Sequence, residues 1–282
     1  MSWRLRVVHT TGYSYEAPVT SSFNEARLSP RSDHRQNVIV NRVETEPATR
    51  SYRYDDYFGT AVTAFDLHAP HTSLVVMGSS IVETDVLPLP DPEDVLDWDD
   101  LAGPHITDRY DEWLSKTTYV PRDRALGALA KKLSKGLDPM AAVIAISRFV
   151  HDEMSYVPGT TGVHTSAVDA WKERKGVCQD YAHLTLLMLR SIGIPSRYVS
   201  GYLHPSKEAE IGQTVEGQSH AWIEAWTGTW WGYDPTNATE IGEQHISVGL
   251  GRDYADVPPL KGIISGGRST DLDVLAEVTR LA

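Results

Sequence analysis

Apolar and polar positions alternate at the N-terminus, in Trp3-Arg4-Leu5-Arg6-Val7-Val8, and that two-residue period predicts a β-strand. Short apolar segments at Ile39, Val43 and Ala61–Ala64 follow, separated by Pro, Asn, Asp and Gly. His71–Met77 and Ser80–Glu83 read as two further strands. The period then lengthens. Arg122–Lys135 carries Leu126, Leu129 and Leu133 on one helical face. Asp138-Pro139 is a start signal for a helix through Ala141–Met154, with Asp as cap and Pro in the first turn. Ser166–Arg174 predicts a short helix. Arg197–Leu203, Ala221–Trp226 and Trp230–Tyr233 read as strands, the last two joined by the turn Thr227-Gly228-Thr229. Leu272–Val278 alternates again and is expected as a closing C-terminal strand of the second half.

One stretch fits neither an amphipathic helix nor a strand. From Tyr181 to Ile192 apolar side chains occupy most faces, and a helix apolar all round is normally buried at the centre of a domain. Gly193 and Pro195 end it. At its start, after Gly176, stands Cys178, the sole cysteine. The free N–H groups and positive dipole end of a helix favour thiolate over thiol there, as a nucleophile requires.

Composition divides the chain into a β-rich region at 1–90, an acidic and Pro-rich linker at 91–112, and an α+β region at 113–282. The net charge of -12 argues against nucleic acid as a partner, and no apolar run approaches a membrane span. A single cysteine forms no internal disulfide and no thiolate metal cluster, which points to a reducing, cytoplasmic setting. HExxH and CxxC spacings are absent, so neither metal nor cofactor is expected.

Two later segments supply partners for the cysteine. Ser219-His220-Ala221-Trp222-Ile223-Glu224 sets His220 at the start of a strand, and Gly232-Tyr233-Asp234-Pro235-Thr236-Asn237 sets Asp234 at the end of the next. A cysteine nucleophile needs a base that shares its proton, and the base needs an acceptor on its other nitrogen. Cys178, His220 and Asp234 meet that need in type, order and placement. Singly, each has a structural reading: a buried small hydrophobe, a core histidine, an ordinary turn. Their conjunction argues for catalysis. Asp180 and His183 on the central helix read as structural, Glu224 as a strand residue, and Arg252, Asp253 and Asp256 as a charged turn that braces the site or touches substrate.

These segments resemble the bacterial transglutaminase-like family, whose core belongs to the papain-like cysteine superfamily. The matching pieces are G-V-C-Q-D-Y-A-H-L at Gly176–Leu184, G-I-P-S-R-Y-V-S-G-Y-L at Gly193–Leu203, S-H-A-W-I-E-A-W at Ser219–Trp226, G-Y-D-P-T-N at Gly232–Asn237 and G-R-D-Y-A-D-V-P-P-L-K-G at Gly251–Gly262. H-T-T-G-Y-S-Y at His9–Tyr15, R-L-S-P-R at Arg27–Arg31 and P-H-T-S-L at Pro70–Leu74 resemble the small β-domain that precedes this core. The resemblance implies an α+β papain/transglutaminase-like fold, with the cysteine helix packed on an antiparallel sheet. It also implies Cys178 as nucleophile, His220 as base and acid, and Asp234 as its orienter.

The implied activity is acyl transfer on a peptide or protein amide through a thioester, with hydrolysis favoured over cross-linking because no amine-acceptor site is evident. The Cys178 N–H is the natural first oxyanion donor and Tyr156 a candidate second. Animal transglutaminases use calcium, but no D-x-D-x-D-G loop occurs here. An arylamine acetyltransferase orders the same three residues, with surrounding motifs that match less well. The alternative of another class is a non-enzymatic module that binds a protein or peptide. The polar loop Pro205–Gln218 and the linker near Leu87–Asp100 are expected to shape selectivity.

Overall fold

The structure, a computed structural model, describes residues 2–206, 208–217 and 219–282. It opens with five strands: β1 (Trp3–Ala26), β2 (Gln36–Glu46), β3 (Ser51–Asp55), β4 (Ala61–Leu67) and β5 (His71–Thr84). The two strands expected within 71–83 are one continuous strand, β5, because Gly78 and Ser79 stay in register opposite β1. β1 alternates as its first residues predict, with Trp3, Leu5, Val7, His9 and Thr11 buried. It runs on far beyond them, bending at an irregularity after Ser14 that lets it pair β4 as well as β5.

The helical part holds three short helices, α1 (Trp98–Leu101), α2 (Pro104–Thr107) and α3 (Asp111–Leu114), then α4 (Arg124–Leu133), α5 (Pro139–Glu153), α6 (Ala167–Glu173) and α7 (Cys178–Ser191). Asp138 caps α5 by accepting from the Ala141 N–H at 2.7 Å, and Ser166 caps α6 through the Asp169 N–H. The acidic linker is not featureless. Leu101, Ile106 and Tyr110 are buried in the helical core, and the Trp98 indole donates to the Leu137 carbonyl.

Two-residue strands β6 (Ser155–Tyr156) and β7 (Lys175–Gly176) pair in parallel just before α7. The second sheet follows: β8 (Ser196–Leu203), then, after β9 (Thr214–Gly217), β10 (His220–Trp226), β11 (Trp230–Asp234), β12 (Thr239–Glu240) and β13 (His245–Gly251), ordered β12-β11-β10-β8-β13. Helix α7 lies against β8 and β10, and every residue from Gln179 through Arg190 is buried. This is the environment that an all-round apolar helix predicts.

Two expectations change. The stretch 205–218, read as a polar loop, contains β9; Lys207 and Gln218 of that loop lie outside the described residues. Leu272–Val278 is a strand, within β15 (Ser269–Arg280), but it does not close the second sheet. β15 pairs β1 along its length and β9 on its other side, and β14 (Leu260–Gly266) also pairs β1. The chain's end therefore completes the first sheet. The cause is the open edge of β1, whose unpaired backbone groups need partners.

The two sheets pack face to face. Trp3, Leu5, Val7, Val82, Ala276 and Val278 of the first meet Tyr202, Ile246 and Val248 of the second. Beside this apolar contact the His9 ring hydrogen-bonds the Tyr202 hydroxyl at 3.0 Å, and the Arg35 guanidinium donates to the His245 carbonyl and the Ser247 hydroxyl.

Candidate active site

The N-terminus of α7 is fixed from two sides. Asp180, in the first turn, accepts from the Val177 N–H at 2.8 Å and from the Thr161 hydroxyl at 2.7 Å. Burial pushes the Asp180 carboxyl up against the pull of these bonds. Gly176 is needed here because a Cβ would stand 2.5 Å from the Asp180 carboxylate. The β6–β7 pairing ties the approach to Cys178 to Tyr156, extended by a Val157 N–H to Gly176 carbonyl bond. Cys178 is partly exposed at the mouth of a cleft of about 530 Å³.

His220 opens β10 opposite Gly201 of β8, and Asp234 ends β11. Extending the β10–β11 register sets Asp234 opposite Trp222, so His220 lies diagonally across, one pleat repeat along the same face. The His220 Nε2 meets Asp234 Oδ2 at 2.7 Å. Cys178 and His220 line the same cleft. Burial opposes the charged ring, but Asp234 and Cys178 outweigh it and hold His220 up to about 10. Asp234 is fully buried, which disfavours its charge, yet hydrogen bonds from His220 and His245 hold it well below the usual carboxylate range. The structure thus brings Cys178, His220 and Asp234 together.

Asp234 has more partners than its sequence context suggests. Its Oδ1 accepts from the Thr236 and Asn237 N–H groups, and its Oδ2 from the Asn237 side-chain amide at 2.7 Å. A second ring, His245 of β13, places Nε2 3.3 Å from Oδ2. The Gly242 N–H donates to His245 Nδ1, so a neutral His245 carries its proton on Nε2 and donates it to Asp234. Burial pushes His245 below its ordinary value, which keeps it neutral. Sequence reasoning missed His245; a lone histidine at the head of a strand gives no signal, whereas Asn237 stood in view in the D-P-T-N turn. His220, Asp234 and His245 bring ligating atoms within 4.8 Å of one another, the geometry of a cation site. Here those atoms are engaged with each other as donors and acceptor.

The remaining polar residues sort by their contacts. Glu224 pairs with Arg197 at 2.7 Å, and the guanidinium stacks over Trp230, away from the cleft. Arg252 forms two bonds to Asp256 and its carbonyl accepts from Arg190, so this charged turn is a brace. His183 is buried and held down to about 3 by desolvation. Its Nε2 accepts from the Tyr254 N–H, which seats Tyr254 at the cleft. Tyr156 and Tyr198 also line it, and burial first, then Cys178, raises both phenols. No helix among the described residues is long and apolar enough to cross a membrane.

Comparison with known proteins bears on the family and the fold. The transglutaminase-like superfamily pattern matches residues 127–235, and that of the bacterial transglutaminase-like N-terminal region matches 5–83. An uncharacterized protein of Mycobacterium leprae is 60% identical over 99% of this chain and 100% of its own length. A Pseudomonas aeruginosa protein-glutamine gamma-glutamyltransferase is 33% identical over 46% of this chain, which spans 20% of that longer protein. Among solved structures, a “putative cysteine protease” of Cytophaga hutchinsonii superposes with a TM-score of 0.77 at 22% identity, covering 100% of this chain and 92% of the other. The fold is the α+β transglutaminase-like fold that the motifs imply. The chain belongs to the bacterial transglutaminase-like family, its core preceded by that family's N-terminal region.

Proposed function

We propose that this chain is a cysteine-dependent acyl-transfer enzyme that cleaves a peptide or protein amide, with Cys178 as nucleophile, His220 as general acid and base, and Asp234 as the group that orients the imidazole. The observation that carries the reading is that His220, bonded to the buried Asp234 carboxylate at 2.7 Å, lines the same cleft as Cys178.

In this mechanism the Cys178 proton passes to His220 and the sulfur attacks the amide carbon while the carbonyl electrons move to oxygen. The backbone N–H of Cys178, at the start of α7, is the first donor to that oxyanion, and the Tyr156 hydroxyl at the cleft is the second. As the tetrahedral intermediate collapses the C–N bond breaks, and the imidazolium gives its proton to the departing nitrogen. A thioester remains. His220 then takes a proton from water, whose oxygen attacks the thioester and releases a carboxylic acid and the thiol. We favour water over an amine because no carboxylate lines the cleft among the described residues to hold a cationic acceptor. The lone cysteine suits a reducing, cytoplasmic setting.

The test is the pH dependence of Cys178 alkylation by iodoacetamide in the native chain and in His220→Ala. Rapid labelling near pH ~6, well below the range of an ordinary thiol, lost in His220→Ala, is expected. Ordinary thiol behaviour that the substitution leaves unchanged would remove the nucleophile–base pair and favour a peptide-binding module instead.

A further inference from the structure

The cleft at Cys178 has two walls, and one of them belongs to the N-terminal sheet. In the β1–β15 ladder Tyr13 stands opposite Leu272, Thr11 opposite Val274 and His9 opposite Ala276. Positions two apart in each strand share a face, and Tyr13, Leu272, Thr11, Val274 and His9 all line the cleft. Tyr13 is stacked on Tyr15, their ring centroids 6.3 Å apart and the planes 6° from parallel. From the opposite wall come Tyr156, Tyr198 and Tyr254.

The chemistry of this lining differs from that of the rest of the chain. The sequence holds 26 Lys and Arg and 38 Asp and Glu, yet none of these lines the cleft among the described residues. Strand alternation keeps them out. Asp271 and Asp273 flank Leu272 on β15, and both pair with β1 at positions that face away from Leu272 and Val274. The imidazole on this wall, His9, is held down to about 4 by burial and is neutral, and burial raises the Tyr13 phenol.

We propose that the N-terminal sheet is the specificity wall of this site, and that it selects an uncharged substrate segment with an aromatic or branched aliphatic side chain beside the scissile amide. This rests on the acyl-transfer reading above. A cleft of about 530 Å³ falls within the range of sites that enclose a few residues of peptide. Aromatic and aliphatic walls gain from covering an apolar side chain. A charged side chain laid against this wall would lose hydration with no opposite charge on the wall itself to meet it, so the wall also works by exclusion. The whole-chain charge of -12 draws cations by its long-range field; the local lining therefore has to override that pull for an uncharged segment to be preferred over a lysine.

The experiment uses the full chain and four acetyl-glycyl-Xaa chloromethyl ketones, with Xaa as Phe, Val, Asp or Lys. Rates of Cys178 modification are followed by intact mass and divided by the iodoacetamide rate of the same protein. The native chain is expected to react at least about tenfold faster with the Phe and Val reagents than with Asp or Lys. Leu272 is 53% exposed, so charge is tolerated there without disturbing a core. Leu272→Asp should shift preference toward the Lys reagent, and Leu272→Lys toward the Asp reagent. Opposite shifts from one position exclude a general folding defect. Equal rates for all four reagents, a native preference for Lys, or a preference that neither variant moves would overturn the wall. Failure of the catalytic reading shows elsewhere, as iodoacetamide labelling indifferent to His220.

Discussion

His245 reaches the buried Asp234 carboxylate from behind, with Nε2 3.3 Å from the same Oδ2 that receives His220. Two imidazoles thus share one oxygen, but their electrostatic states differ. The ring that shares the cleft with Cys178 is held up to about 10, whereas the enclosed His245 is pushed below its ordinary value. The difference lies in what each ring meets beyond Asp234. His220 lies on the cleft that Cys178 also lines; for His245 it is a backbone N–H, which fixes the tautomer. His245 is therefore a positioning residue that holds Asp234 in the orientation His220 needs.

His245→Phe keeps an aromatic ring for the edge contact with Trp222 but removes the donor. Losing a hydrogen bond to a buried carboxylate should cost about 1.5–3 kcal/mol in urea unfolding. Alkylation of Cys178 near pH ~6 should slow roughly tenfold or more as Asp234 drifts, because small misplacements of a catalytic group are costly. At about pH 9.5, above the ordinary thiol range, the two proteins should label alike. Stability loss with an unchanged rate near pH ~6 would reduce His245 to a structural role.

The His220–Asp234 pair predicts an imidazolium that survives far into alkaline solution. A pKa raised on folding contributes stability that is full below about 6.5 and is lost as pH rises through about 10. NMR of labelled histidine should place the His220 titration near that upper value in the native chain. In Asp234→Asn the titration should fall back toward about 6.5, because the amide neither attracts the charge nor fixes the tautomer. Amide turnover should drop by roughly 10⁴-fold, as when a triad acid becomes an amide. An unchanged titration in Asp234→Asn would mean that Asp234 does not set the state of His220.

Much of this was legible because local rules and tertiary needs agree in the core. α7 announced its burial by being apolar all round, and the strands bearing His220 and Asp234 showed their alternation and turn. What stayed hidden was non-local. Pairing of β15 with β1 joins Val7 to Val278, and nothing in either strand names the other. β9 escaped because Thr214-Val215-Glu216-Gly217 offers one apolar side chain and takes its structure from the free edge of β15. The linker's acids and prolines masked Leu101, Ile106 and Tyr110, which only the folded core shows to be buried. The cleft's second wall was unreadable for the same reason: Tyr13 and Leu272 meet only through that long-range ladder.

Tyr156 is half exposed at the cleft and tied beside Cys178 by the β6–β7 pairing. If its phenol donates to the oxyanion, Tyr156→Phe should lower amide turnover by roughly 10²–10³-fold, the usual loss for one such donor. Iodoacetamide forms no oxyanion, so its rate should change far less. Equal losses in both reactions would assign Tyr156 to packing, and no loss in either would remove it from the mechanism.

Acid should unfold the protein early, through histidines outside the triad. Desolvation holds His9 down to about 4 and His183 down to about 3. Both stay neutral in the folded chain, while the unfolded chain protonates them below about 6.5. Their contribution is therefore full above that pH and is lost as pH falls toward the folded values, at up to about 1.4 kcal/mol per pH unit for each ring. Asp180, raised by burial, opposes this in part, because its carboxyl takes up a proton more readily in the folded chain than in the unfolded one. Urea midpoints measured from neutral pH downward should fall steadily below about 6.5. In His9→Gln the slope above about pH 4 should be shallower by one ring's share, whatever the variant's stability at neutral pH. A slope that this substitution leaves unchanged would show that His9 takes up its proton within the fold, in spite of the Tyr202 and Thr11 hydroxyls that bracket its ring.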